Sequence, residues 1–327
     1  MEASPLLSVR DLTVAFDVRQ GSFDAVRNVS FEVRPGRTVG IVGESGSGKS
    51  VTAMALMQLL PESARLTTGR IRFGGRDLQG LSERQMQAVR GREIAMVFQD
   101  PMASLNPILT IGHQVMEPLR IQLGLSRATA RVRAEELLSL VRIPSPGQIM
   151  RAYPHELSGG MRQRVMIAIA LSCGPKLLIA DEPTTALDVT TQAQILELLR
   201  DLQQRLHMSI LLITHDLGVI AEFADDVLVM YAGRVVERSP VAALFDRPGH
   251  PYTEGLLRSM PPLDDEDRET LPAIEGNVPS PFDLPAGCAF HPRCSYARDA
   301  CRSGIPAFAP LGATHDAACL RTGRPAA

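Results

Sequence analysis

Gly43-Glu44-Ser45-Gly46-Ser47-Gly48-Lys49-Ser50 follows the β-branched run Thr38–Val42 and opens a helical stretch predicted over 49–60, where Pro61 ends it. The octapeptide is a complete G-x-x-x-x-G-K-[ST] match, and strand, loop and helix stand in the order its chemistry needs. Glycines let successive backbone N–H groups turn into one concavity. The following helix adds the partial positive charge of its N-terminus. Lys49 brings a compact ammonium to the β- and γ-phosphates of a nucleotide, and the Ser50 hydroxyl suits Mg²⁺. Lysine is a marked choice here: of 34 Lys and Arg residues, only Lys49 and Lys176 are lysine. A Gly-rich turn that merely starts a helix is the plain alternative, and the flanking strand and helix weigh against it.

A second constellation is Leu177-Leu-Ile-Ala-Asp181-Glu182-Pro183. An apolar strand ends in two carboxylates at its C-terminal edge, where parallel sheets place ligands. Asp181 suits Mg²⁺, directly or through water, and Glu182 suits the orientation or deprotonation of a water. Alone, the pair would read as a helix cap. A third is Leu157-Ser158-Gly159-Gly160-Met161-Arg162-Gln163, a polar residue and two glycines opening another helix. One chain thus holds two anion-type helix starts and one Lys-bearing loop.

The rest of the chain organises around these. Alternation at Val9, Leu12, Val14 and Phe16, and again at Val29, Phe31 and Val33, predicts antiparallel strands. Strands are predicted also at 71–73, 94–98, 177–180, 209–213, 227–230 and 234–236, the last two turning at Ala232-Gly233. Helical periodicity over 111–142, through Val115, Leu119, Leu123, Val132, Leu137, Leu138 and Val141, predicts two helices with a break near 124–126. Further helices are predicted over 159–173 and 190–206. Strands alternating with helices imply an α/β core with a mainly parallel sheet beside an antiparallel layer. A helical subdomain is expected at about 105–172. Pro261-Pro262 and the acidic run 264–269 mark a linker, so the domains are read as 1–260 and 261–327, the latter with a small Cys-rich end.

Composition sets limits. A chain of 327 residues with 45% apolar and 21% charged residues suits a soluble globular protein, not a disordered or disulfide-stapled one. A net charge of −2 gives no global attraction to nucleic acid. The start, Met1 to Asp11, lacks the pattern of a secretory signal. The longest apolar runs fall far short of the ~18–20 residues that span a bilayer. The reading is a cytosolic protein whose membrane role, if any, comes through partners.

With Asp181 and Glu182 lying 23 and 24 residues beyond Ser158, the motifs resemble those of ABC transporter ATP-binding subunits over about residues 5–260. The resemblance implies ATP hydrolysis on a P-loop ABC ATPase fold. Gln99 matches the Q-loop glutamine that touches Mg²⁺. Ser158-Gly159-Gly160 matches the signature that reaches the γ-phosphate held by an opposing subunit. Glu182 matches the catalytic base, Asp188 (in Ala186-Leu187-Asp188) the D-loop, and His215 the switch histidine. Phe16, with Phe23 as rival, is the choice for the aromatic that stacks on adenine. Two cassettes facing head to tail are implied, a sister ATPase or a second copy of this chain.

Cys288, Cys294, Cys301 and Cys319 follow a C-x₅-C-x₆-C-x₁₇-C pattern, too wide for a zinc finger, whose pairs sit at C-x₂₋₄-C. Four thiolates can hold an iron–sulfur cluster. Disulfides or unliganded thiols are the plainer readings. Cys173 reads as a small core residue. His250-Pro251-Tyr252-Thr253 and the Cys-containing end resemble the oligopeptide/dipeptide importer ATPases, some of which carry a 4Fe-4S cluster. That resemblance implies the cluster, with Zn²⁺ as alternative. It also implies two transmembrane permease subunits, an extracytoplasmic solute-binding protein and a place on the cytoplasmic face of the membrane. Peptides are the implied cargo; nickel, another small solute, or a non-transport ABC ATPase are the alternatives. Over 284–327, five Arg against two Asp and few aromatics argue against a nucleic-acid platform.

Overall fold

A computed structural model describes residues 4–185, 187–260 and 273–321. The chain start, the linker at Pro261-Pro262 with 264–269, and Ala186 of the D-loop tripeptide lie outside the described residues. The chain divides into two compact units, one with Arg34–Arg37 and Gly80–Ile213, the other with Pro5–Val33, Thr38–Gln79 and the described residues from Thr214 on.

In the first unit, Ile94–Val97, Leu177–Asp181 and Ser209–Thr214 pair in parallel, with Ile94 opposite Leu177 and Leu178 opposite Ile210. Leu177–Asp181 and Ser209–Thr214 are buried throughout. That burial on both faces is why they read as unbroken apolar runs, and each fully buried Leu or Ile contributes about 1.5–3 kcal/mol. The helices Ile111–Leu123 and Arg127–Leu140 separate at Gly124, left-handed at φ 67°, and Ser126, whose hydroxyl accepts from the Thr129 N–H at 3.2 Å. The break therefore has its glycine stop and serine start one residue apart, with Leu125 between them. Ala130, Ala134, Leu137 and Leu138 form the buried stripe of the second helix, while Val132 is 60% exposed. Val132 lies off the i, i+4, i+7, i+8 face and does not belong to the core as the periodicity implied.

In the second unit, an antiparallel layer runs Gly21–Val33, Leu7–Val18, Ala64–Phe73, Arg76–Asp77. Thr38–Val42 pairs in parallel with Asp226–Tyr231, which turns back as Arg234–Pro240. Ala232 and Gly233 both have positive φ, 44° and 82°, as a two-residue hairpin turn requires. Helix Lys49–Leu56 is shorter than predicted. Gln58 is left-handed at φ 50° and its amide bonds the Leu78 carbonyl, so the chain leaves the helix before Pro61 acts.

The C-terminal region of this unit docks through buried polar groups. Glu237, fully buried, accepts from the Gly249 N–H at 2.6 Å and the His250 N–H at 2.8 Å, and pairs with His315 Nε2 at 2.7 Å. His250 in turn caps helix Pro251–Arg258, its Nδ1 accepting from the Tyr252 N–H at 3.1 Å. Tyr231, Tyr252 and Phe290 meet with ring centroids 4.7–5.4 Å apart, the separation of favourable aromatic pairs. Arg238 pairs with Asp316 at 2.8 Å, beside the short antiparallel strands Ala309–Pro310 and Asp316–Ala317. Among the described residues, no helix is long and apolar enough to cross a membrane.

Candidate active site

The phosphate loop joins Thr38–Val42 to helix Lys49–Leu56. A Cβ on Gly43 (φ 155°) would fall 2.1 Å from the Met230 carbonyl oxygen, so the loop lies against the Asp226–Tyr231 strand only because that position is glycine. Gly48, at φ 97°, begins the helix in a left-handed conformation. The Gly233 N–H donates to the Ser47 carbonyl at 3.0 Å and backs the loop from the hairpin turn. Lys49 is 5% exposed, and its Nζ donates to the carbonyls of Gly43 at 2.7 Å and Glu44 at 3.0 Å. Ser47 Oγ is buried with no hydrogen-bond partner among the described residues. An orphan hydroxyl, a buried ammonium and a left-handed loop at a helix start suit phosphate oxygens. Ser45 and Gly46 are exposed at the mouth of the loop.

Glu44 is held at both ends. Its N–H donates to the Tyr252 hydroxyl at 2.8 Å, and burial raises that phenol well above its ordinary pKa, so it stays neutral. The Glu44 carboxylate takes both Arg293 Nη atoms, at 2.8 and 3.1 Å. Sequence reading singled out Tyr252 without tying it to the loop, and it missed Arg293, which no local pattern marks.

In the first unit, the Leu177–Asp181 strand delivers Asp181, 5% exposed, and Glu182. Glu182 adopts φ 47°, a strained conformation for a non-glycine residue and one that clusters at functional sites. Its N–H donates to the Ile213 carbonyl at 2.8 Å, which fixes the strained peptide. Its Oε2 accepts from Gln99 Nε2 at 2.9 Å and from Thr185 Oγ1 at 2.8 Å. Gln99 and Asp181 offer hard oxygen donors in this unit, and Ser50 a hydroxyl in the other, the donor types that suit Mg²⁺.

Ser158 caps helix Gly159–Leu171, accepting from the Met161 N–H at 3.3 Å. A Cβ on Gly160 would fall 2.7 Å from Thr191 Cγ2. Thr191 also donates to Asp188, the cap of helix Val189–Leu206, from N at 2.9 Å and Oγ1 at 2.7 Å. Those bonds hold the Asp188 carboxyl below its ordinary pKa. The structure therefore joins the Ser158 and Asp188 helix starts through Thr191, which sequence reading missed.

In the second unit, His215 is exposed just beyond strand Ser209–Thr214. Asp216 beside it caps helix Leu217–Phe223, its Oδ1 accepting from the Gly218 N–H at 2.8 Å. Phe16 and Phe23, offered as rivals, are opposite each other in register and stack at 5.6 Å, and Phe23 meets Phe282 edge-on at 4.8 Å.

Cys288, Cys294, Cys301 and Cys319 line one cavity of about 30 Å³. No disulfide joins the five cysteines. Burial pushes the thiols of Cys288, Cys294 and Cys319 up. Among the described residues no group of three or more His, Cys, Asp or Glu could hold a metal ion. The expectation of a 4Fe-4S cluster, or of Zn²⁺ in its place, is corrected accordingly. Cys173, expected in the core, is partly exposed, and its Sγ lies 3.7 Å from the Pro118 carbonyl oxygen.

Comparison with known proteins agrees with this arrangement. Residues 26–185 match the ABC transporter family model, and residues 236–301 match that of the oligopeptide/dipeptide transporter C-terminal region. A Brucella melitensis protein named for peptide import and ATP binding is 53% identical over 312 residues, 95% of this chain and 94% of its own. The Escherichia coli dipeptide transport ATP-binding protein DppD is 50% identical over 314 residues, 96% of each chain. Among solved structures, the dimeric ATP-binding cassette MJ0796 bound to ADP and Pi aligns with TM-score 0.65 at 29% identity, over 72% of this chain and 98% of that one. CbiO1 of Clostridium perfringens, part of an ABC transporter complex, aligns at 0.64 and 27%, over 75% and 92%. The chain belongs to the ATP-binding subunits of ABC transporters, in the group that carries the oligopeptide/dipeptide C-terminal region.

Proposed function

We infer that this chain is the ATP-hydrolysing subunit of an ABC importer of peptides. One observation carries the reading: 50% identity along 314 residues to a dipeptide transport ATP-binding protein, through phosphate loop and C-terminal region alike. The roles below rest on the chemistry of the residues and on the family pattern.

The phosphate loop Gly43–Ser50 receives the nucleotide's phosphates on its backbone N–H groups, with Lys49 moving its ammonium from loop carbonyls to phosphate oxygens. Ser50, Gln99 and Asp181 would hold Mg²⁺, which neutralises charge on the β- and γ-phosphates when bound. Glu182 accepts a proton from the attacking water through a carboxylate oriented by Gln99 and Thr185. His215 contacts the γ-phosphate. Phe16 offers a ring face to adenine. Ser158, Gly159 and Gly160 face the nucleotide of a second cassette, a sister subunit or another copy, and Asp188 lines the dimer contact. Loss of the bridging γ-phosphate releases the two cassettes, an order change that turns hydrolysis into motion.

Two permease subunits and an extracytoplasmic binding protein complete the importer and choose its cargo; this chain sits peripherally on the cytoplasmic face. Reconstitution with the permeases, the partner ATPase and the binding protein in vesicles tests the reading. ATP-dependent uptake of a labelled dipeptide that disappears with Lys49→Ala supports it. Uptake of nickel but not peptides would move the chain to another importer. ATP hydrolysis that no permease stimulates would remove it from transport.

A further inference from the structure

The C-terminal region reaches the phosphate loop at one residue, and the contact is made with unusual completeness. Arg293 closes the His291–Arg293 turn, and its side chain is 5% exposed. Every nitrogen of its guanidinium is engaged. Nη1 and Nη2 grip the Glu44 carboxylate side by side at 2.8 and 3.1 Å. Nε donates to the Glu275 carbonyl at 2.9 Å, Nη2 also to that of Ile274 at 3.2 Å, and Nη1 to the Tyr231 hydroxyl at 3.4 Å. A two-pronged, half-buried arginine–carboxylate pair fixes geometry as well as charge.

Glu44 is the second residue of the phosphate loop. Its N–H is tied to Tyr252 and its carbonyl takes the Lys49 ammonium at 3.0 Å. The side chain, amide and carbonyl of this one residue are thus each assigned a partner, and two of the three partners, Tyr252 and Arg293, come from the C-terminal part of the chain. Unpaired, the Glu44 carboxylate would be an anion within a loop built to receive phosphates. It would oppose them by charge and compete for Lys49.

We propose that Arg293 is a positioning residue for nucleotide binding: it holds the Glu44 carboxylate away from the phosphates and fixes the loop, so the C-terminal region sets the affinity for ATP. The inference rests on the loop's being the ATP site. Arg293 touches no reacting atom and acts only through Glu44.

The test uses the full-length chain with Mg²⁺ and ATPγS, read by calorimetry at moderate salt. Arg293→Met is expected to weaken binding about tenfold, and Arg293→Lys, which keeps the charge without the fork, about threefold. Adding Glu44→Gln to Arg293→Met is expected to restore affinity to within about twofold of the parent, because the unpaired carboxylate is gone. A purely structural role for Arg293 predicts no such rescue. Binding by Arg293→Met equal to the parent, or a double variant as weak as the single one, overturns the proposal. If circular dichroism shows Arg293→Met unfolded, Arg293→Lys with and without Glu44→Gln makes the same comparison. A parent chain that binds no ATPγS would instead overturn the nucleotide reading itself.

Discussion

Gln99 Nε2 donates to Glu182 Oε2 at 2.9 Å, and the same oxygen accepts from Thr185 Oγ1 at 2.8 Å. Two donors on one oxygen fix the orientation of the carboxylate, on a backbone strained to φ 47° and pinned by the Ile213 carbonyl. The base role proposed for Glu182 needs a carboxylate held in one orientation. Glu182→Gln keeps the shape and removes the base. Phosphate release is expected to fall by about 10²–10⁴-fold while ATP affinity persists. Unchanged turnover in a phosphate-release assay would remove Glu182 from that role.

Gly160 and Thr191 couple two helix starts through a single methyl. A Cβ on Gly160 would fall 2.7 Å from Thr191 Cγ2, well inside contact distance. Gly160→Ala is therefore expected to cost about 1–3 kcal/mol in urea unfolding, by overpacking. Thr191→Ser removes the offending methyl and keeps the hydroxyl that donates to Asp188 at 2.7 Å. The double variant should recover most of the lost stability. Additive losses would show that the clash lies elsewhere.

Much of this was legible locally. Alternation at Val9, Leu12 and Val14 gave the antiparallel layer, and Gly124 and Ser126, flanking Leu125, gave the helix break, because period and capping act within a few residues. The phosphate loop was legible because its glycines, lysine and serine must stand at fixed spacing. Contacts between distant positions were not. Arg293 meets Glu44 across 249 residues of sequence, and nothing near either residue marks the pairing. Thr191, an ordinary helical residue by sequence, matters because Gly160 lies against it. The cysteine spacing carried no information on how the thiols are placed in space, and among the described residues they form no group that could hold a metal ion.

Glu237 carries three contacts that tie the C-terminal region to strand Arg234–Pro240. It is fully buried and accepts from two backbone N–H groups, of Gly249 and His250, besides pairing with His315 at 2.7 Å. Glu237→Ala would leave those donors buried without an acceptor. A loss of about 3–5 kcal/mol is expected in urea unfolding. A change below about 1 kcal/mol would show that the region is held by its aromatic contacts alone.

His250 makes stability depend on pH. Burial lowers its pKa from 6.5 to about 3, and its Nδ1 must stay unprotonated to accept from the Tyr252 N–H. The unfolded chain binds a proton at this residue below about pH 6.5, whereas the folded chain does not until about pH 3. Folding is therefore unpenalised above pH 6.5 and loses stability as pH falls through that window, by about 2 kcal/mol at pH 5. His250→Asn keeps an acceptor for the helix cap and removes the titration. The melting temperature of this variant should decline less between pH 7 and pH 5 than that of the parent chain. Parallel declines would mean that His250 is protonated in the folded protein and that the cap is made another way.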